Sequence, residues 1–258
     1  MRDFTVTMCV RLLETLRNKG YSFSTVSGYR NSAAAKTVIL RHDIDARPGK
    51  ALEIAGLENE LKIRSTFYFK ATQGRFDSKL VKEIAGLGHE IGYHYEDLSK
   101  SRGSFEKAIE RFARNLEELR KICPVTSACM DGHVLSRWNN LDLWKKYNYH
   151  DFGIAAEPYL DFNFSEFLYI TDTGRKWNAV QYSLYDKVNS GFHYRNKTTP
   201  MLIRDLENDS VPDRLMITLH PQRWHNHAGM WMQEAVFQRM KNIVKYVIIK
   251  IRSGSSVS

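Results

Sequence analysis

The run Val38-Ile39-Leu40-Arg41-His42-Asp43-Ile44-Asp45 is an apolar, strand-like stretch that ends in two carboxylates two residues apart. Side chains alternate across an extended chain, so Asp43 and Asp45 project from one face near the strand's end. Two like charges held that close are costly unless a metal, a shared proton or a cationic partner compensates them. The competing reading is that both cap the following helix, whose first turn is marked by Pro48. Capping and chemistry are compatible.

Other titratable side chains end strand-like runs in the same way. His94 and Glu96 follow Glu90-Ile91-Gly92-Tyr93, Asp131 and His133 follow Thr126 to Met130, and His220 ends Leu215 to Leu219. In a (β/α) barrel, catalytic groups gather at the C-terminal ends of the strands. Four strands offering acids or imidazoles at that end point to an active site. His94 is the leading metal ligand, since imidazole beside carboxylates is a common metal donor. Glu96 shares its face if the chain stays extended. His89 lies at the start of its strand and, five residues from His94, on the opposite face; it reads as structural. Gly88 and Gly92 argue against a metallopeptidase-type helix here. His225-Asn226-His227 reads as a solvated loop.

Strand-like and helix-like segments must alternate to position these groups. Strands are expected at Val38–Arg41, Ser65–Lys70, Glu90–His94, Thr126–Met130, Phe152–Ala156, Tyr169–Asp172, Ala179–Leu184 and Leu215–His220. A helix should follow an N-cap at Asp77, with Leu80, Val81, Ile84 and Leu87 on one stripe. A second runs from Ser104 with Phe105, Ile109, Phe112, Leu116 and Leu119 inward, a third spans Thr199 to Glu207, and a fourth begins near Met230. This β-then-α order predicts an α/β fold with a parallel sheet, a distorted (β/α) barrel in one domain over 1–252, with a disordered tail at 253–258.

Composition narrows the classes. The 258 residues are 43% apolar, ordinary for a globular protein. No window approaches the roughly 20 apolar residues of a membrane span, and no secretory signal opens the chain. The three cysteines (Cys9, Cys123, Cys129) have no metal-knuckle spacing and fit a reducing compartment. A cytoplasmic protein is expected. The formal net charge of +9 is scattered among acids, as in Glu110→Arg114 and Glu117→Lys121, so no nucleic-acid partner is expected. It leaves room for a phosphate-bearing substrate. The C-terminal run from Lys241 to Arg252 is more one-sided and reads as a solvated last helix.

Arg41-His42-Asp43-Ile44-Asp45, Gly88-His89-Glu90-Ile91-Gly92-Tyr93-His94 and Leu219-His220 together resemble the polysaccharide deacetylase (NodB-homology) superfamily, carbohydrate esterase family four, as a divergent subgroup. That resemblance implies a distorted (β/α) barrel and metal-dependent removal of an acyl group, acetyl by default, from an N-acylated sugar. It also implies one aspartate as general base, the other as metal ligand, the second motif's histidine as ligand and the late-strand histidine as general acid. These roles fall on Asp43, Asp45, His94 and His220. Ile44 separates aspartates that are adjacent in the family, which leaves open which one is base; Asp43 as base is the working assignment. The family's second histidine ligand falls at Leu98, which cannot ligate. Glu96 is the nearest candidate for the third ligand, with Asp97, Asp131 and His133 in reserve.

The expected chemistry is hydrolysis around a divalent ion, zinc in the first instance. Asp43 takes a proton as water attacks, and His220 protonates the departing sugar amine. The alternative is a catalytically degenerate barrel that binds carbohydrate without turnover.

Overall fold

The structure is a computed structural model that describes residues 2–31, 34–71, 76–132, 136–177, 185 and 188–254. The expected strand at Ala179–Leu184 and the reserve ligand His133 lie outside them. In chain order the elements are α1 (Val6–Asn18), β1 (Ser22–Ser24), β2 (Thr37–Ile44), α2 (Gly49–Glu60), β3 (Thr66–Phe69), α3 (Ser78–Gly86) and β4 (Glu90–Tyr95). They continue with α4 (Asp97–Lys100), α5 (Phe105–Arg120), β5 (Ser127–Met130), β6 (Leu168–Thr171), α6 (Thr199–Glu207), β7 (Arg214–Leu219) and α7 (Ala228–Gly254).

The strands form one parallel sheet in the order β5-β4-β3-β2-β7-β6, with β1 paired to the start of β2. All eight residues of β2 are buried, as expected of a central parallel strand covered on both faces. Val38 and Leu40 pack outward with Leu12, Leu13, Leu202 and Leu206 of α1 and α6. Ile39 faces inward with Tyr68, Cys129 and Met216. Laid flat, β2 and β5 would stand three strand spacings apart, roughly 14 Å. Yet Arg41 on β2 reaches Cys129 Sγ on β5 at 2.9 Å, Thr218 Oγ1 on β7 at 2.7 Å and the Tyr159 hydroxyl at 2.6 Å. The sheet therefore curls around Arg41. It is a half-barrel with β5 and β6 at its edges, and Ala156 adds a single parallel bridge to Ser127.

Local sequence accounts for the helices. Asp77 accepts from the backbone N–H of Lys79 and Leu80, Ser104 from Lys107 and Thr198 from Met201, each fixing an N-terminus with a side-chain oxygen. Phe152, where the strand Phe152–Ala156 is expected to open, instead ends a 3₁₀ turn (Tyr149–Phe152) closed by Gly153 in the left-handed region (φ 67°). The last helix continues through Gly254.

Candidate active site

Eight polar side chains gather at the C-terminal rim of the sheet. Arg41, Asp43 and Asp45 share the concave face at the end of β2, as alternation requires. Neither aspartate caps α2, whose N-cap position is Pro48 and which has no side-chain cap among the described residues. Lys70 follows β3, His94 lies in β4, Asp131 follows β5, Asp172 follows β6 and His220 follows β7. A cavity of about 600 Å³ is lined by Asp43, Asp45, Lys70, His94, Asp131 and His220, with α7 forming one wall.

Asp45, His94 and Asp131 each offer a donor atom within 4.8 Å of the others. His94 Nε2 lies 3.8 Å from Asp45 Oδ1 and 3.9 Å from Asp131 Oδ1. The other ring nitrogen, Nδ1, stands 3.0 Å from the Cys129 carbonyl, which can only accept. Nδ1 therefore carries the proton and the Nε2 lone pair faces the two carboxylates, the tautomer a metal ligand needs. Asp131 is anchored through its backbone, its N–H donating to Tyr95 O at 2.8 Å and its carbonyl accepting from Asn140 at 2.8 Å. One imidazole and two carboxylates fit a divalent ion such as zinc, and suit several neighbouring metals as well.

Glu96 does not enter this group. β4 ends at Tyr95, and Glu96 (φ −130°, ψ 24°) turns the chain into α4, so strand alternation stops one residue before it. Its carboxylate lies 3.6 Å from Lys100. Asp97, another reserve, is buried on Tyr93, Asn115 and Arg111. Burial pushes its carboxyl up to about 7, against the lowering effect of those partners. His89 is buried behind the sheet, with Nε2 3.0 Å from Ala55 O on α2. His225, read as solvated, is instead buried with Nε2 2.8 Å from Gln222 O.

The His220 side of the pocket is more elaborate than its sequence suggests. His220 Nδ1 meets Asp172 Oδ1 at 2.6 Å and its backbone N–H donates to Oδ2 at 3.0 Å. Arg223 donates to the same carboxylate at 2.6 Å and the Trp224 indole at 2.8 Å. His-Pro-Gln-Arg-Trp is thus a device for one buried acid. Burial would raise the Asp172 carboxyl, but Arg223 and His220 outweigh it and hold it at about 2. With Nδ1 committed to Asp172, Nε2 faces the cavity, 3.7 Å from Asp45 Oδ2. Asp43 Oδ2 contacts Arg41 at 3.3 Å, while its buried Oδ1 has no hydrogen-bond partner among the described residues.

Lys70, like Asp172, is a residue the motifs do not point to. Its ammonium lies 2.7 Å from Asp131 Oδ2 and 3.3 Å from Asp45 Oδ1, so it neutralises the two carboxylates of the candidate metal group. Burial would raise the Asp45 carboxyl, but Lys70, His220, His94 and Arg223 outweigh it and keep it well below the usual carboxylate range. Burial would lower the Lys70 ammonium, yet Asp45 and Asp131 raise it above an ordinary lysine.

No protein-family model matches this chain, and no curated sequence does. Among solved structures it is similar to a CE4 esterase from Streptococcus mutans, at 16% identity over 89% of this chain and 90% of that one, with a TM-score of 0.47. It is similar to the peptidoglycan deacetylase PdaC from Bacillus subtilis at 11% identity, covering 86% and 96%, with a TM-score of 0.43. A CE4 family pseudoenzyme from Bacillus anthracis matches at 11% identity over 82% of this chain and 64% of that one, with a TM-score of 0.46. Likenesses this distant leave the roles of the site residues to geometry.

Proposed function

We propose that this protein is a metal-dependent hydrolase that removes an acyl group, acetyl by default, from an N-acylated sugar. One observation carries the reading. The Nε2 atoms of His94 and His220 converge on Asp45 in a single cavity, beside a buried Asp43 carboxylate oxygen that has no hydrogen-bond partner among the described residues. A divalent ion held by Asp45, His94 and Asp131, zinc in the first instance, would polarise the amide carbonyl and acidify a water molecule.

The remaining work falls to the chain. Asp43 Oδ1 accepts the proton of the attacking water, with Arg41 fixing the carboxylate from behind. An amine is a poor leaving group until it is protonated. His220 Nε2 delivers that proton from the imidazolium form, which the Asp172 carboxylate orients and stabilises through Nδ1–H. Lys70 and Arg47, with Lys241 and Lys245 of α7, add positive charge to the walls, which suits a sugar carrying phosphate.

A second reading has one observation in its favour. Lys70 already supplies a cation between Asp45 and Asp131, which suits a barrel that binds carbohydrate without turnover. Release of acetate from N-acetylglucosamine and its phosphate or oligomers, measured with and without added zinc or cobalt, separates the two. Metal-stimulated release that Asp43→Asn abolishes supports the hydrolase. Saturable sugar binding with no release under any metal supports the binder.

A further inference from the structure

Among the described residues thirteen large hydrophobic side chains are exposed, and ten of them sit on α7 (Ala228–Gly254): Met230, Met232, Val236, Phe237, Met240, Ile243, Val244, Tyr246, Val247 and Ile251. A helix on a globular protein ordinarily turns its apolar stripe inward. Here the order is reversed. The strip facing the body runs through Glu234, Gln238 and Asn242, at the i, i+4, i+8 spacing, with Trp231 and Ala235 half-buried beside it. Glu234 and Gln238 are buried, and Asn242 donates to Gly174 O at 3.0 Å. At 100° per residue the exposed apolar set covers more than half of the helix circumference. From Met232 to Ile251 it extends for roughly 29 Å at 1.5 Å per residue.

The charges on the same helix are one-sided. After the buried Glu234, α7 carries Arg239, Lys241, Lys245, Lys250 and Arg252 and no acid. Lys241 flanks the apolar arc on the side of the cavity, with Lys245 further round on the cavity wall, while Arg239 and Lys250 lie toward the other edge of the arc. An apolar face with basic margins is the pattern of a helix that lies in the plane of an anionic bilayer. No helix among the described residues is long and apolar enough to cross a membrane. A second copy of this helix is a poor occupant, since it would bring lysine against lysine without a compensating acid.

We propose that α7 docks flat on an anionic lipid surface, with the apolar arc at the headgroup–acyl boundary and the basic margins on lipid phosphates. Phe237, Met240 and Val244 line the catalytic cavity as well as the exposed arc, so docking sets the mouth of the cavity at the lipid surface. The docking does not depend on the hydrolase reading.

Flotation of the full chain with vesicles tests it, comparing phosphatidylcholine alone with phosphatidylcholine containing about a third phosphatidylglycerol. We expect binding to the anionic vesicles, loss of most of it at high salt, and at least tenfold weaker partition for the exposed double variant Ile243→Asp/Val247→Asp. Arg239→Glu/Lys250→Glu should weaken binding to anionic vesicles and leave near-ultraviolet circular dichroism and melting unchanged. Absence of binding at low salt overturns the proposal. So does a stable dimer by sedimentation that Ile243→Asp/Val247→Asp splits while vesicle binding is nil. Equal binding to neutral and anionic vesicles would refute the role of the basic margins.

Discussion

Replacing Lys70 by methionine should tighten metal binding rather than weaken it. The side chain is about the same length, but the ammonium that sits between Asp45 and Asp131 is gone. With an effective dielectric constant between about 20 and 80, each contact near 3 Å is worth roughly 1.4 to 5.5 kcal/mol before the ammonium's hydration is set against it. The lysine side chain is 27% exposed, and its carboxylate partners are 35% and 12% exposed, so the pair stands between a surface and a buried salt bridge. A net value of about 1.4 to 2.8 kcal/mol follows, above an exposed pair and below a buried one. An incoming ion must displace the lysine, so Lys70→Met should bind zinc or cobalt about ten- to a hundredfold more tightly. Calorimetric titration of the metal-free protein measures this directly. A second readout is thermal. Without metal the variant keeps two carboxylates with no cation between them and should melt lower than wild type, while zinc should raise its Tm by more. Unchanged or weaker affinity in a folded Lys70→Met protein would refute the competition between ammonium and ion.

Three further outcomes follow from the same geometry. Asp131→Ala should lose metal far more severely than Glu96→Ala, as read by metal analysis of the purified variants; the reverse order would restore Glu96 as the third ligand. Asp172→Asn should lower turnover by about a hundredfold or more, because the His220 imidazolium loses the carboxylate that stabilises it, while leaving metal content intact. It should also destabilise the fold by about 3–5 kcal/mol, because Arg223 loses its buried partner. In the wild type the folded Asp172 carboxyl, at about 2, lies below an unfolded aspartate near 3.9, so its contribution is present above roughly pH 4 and is lost as pH falls toward 2. Asp97 has the opposite sign: its folded value of about 7 exceeds the unfolded one, so its contribution is present below roughly pH 4 and is lost as pH rises through 7. Asp97→Asn should flatten that decline in urea titrations between pH 4 and pH 8, and an unaltered slope would show that another group causes it.

Much of this arrangement was legible because its physics is local. The period-two rule put Asp43 and Asp45 on one face, and the parallel sheet then carried His94, Asp131 and His220 to the same rim. The rule failed at Glu96, one residue past the end of β4, because a short helix begins at Asp97. Asp172 and Lys70 each end an expected strand, so the strand-end signal that marks Asp43 applies to them too. Neither stands out in the sequence because the importance of each lies in partners far along the chain, His220 48 residues away and Asp131 61 residues away. The inverted α7 was also hidden. Its charge pattern reads as a solvated helix, and only the folded chain shows that the strip turned to the body is polar.

Metal-dependent hydrolysis at this site requires a divalent ion between Asp45, His94 and Asp131. Crystals grown with zinc, with diffraction recorded on both sides of the zinc absorption edge, should show one anomalous peak at about 2.0–2.2 Å from carboxylate oxygens of Asp45 and Asp131 and from His94 Nε2. Lys70 should be swung away and His220 Nε2 left free toward the cavity. No peak under saturating zinc, with the Lys70 ammonium still seated between the two carboxylates, would contradict the metal-dependent hydrolase.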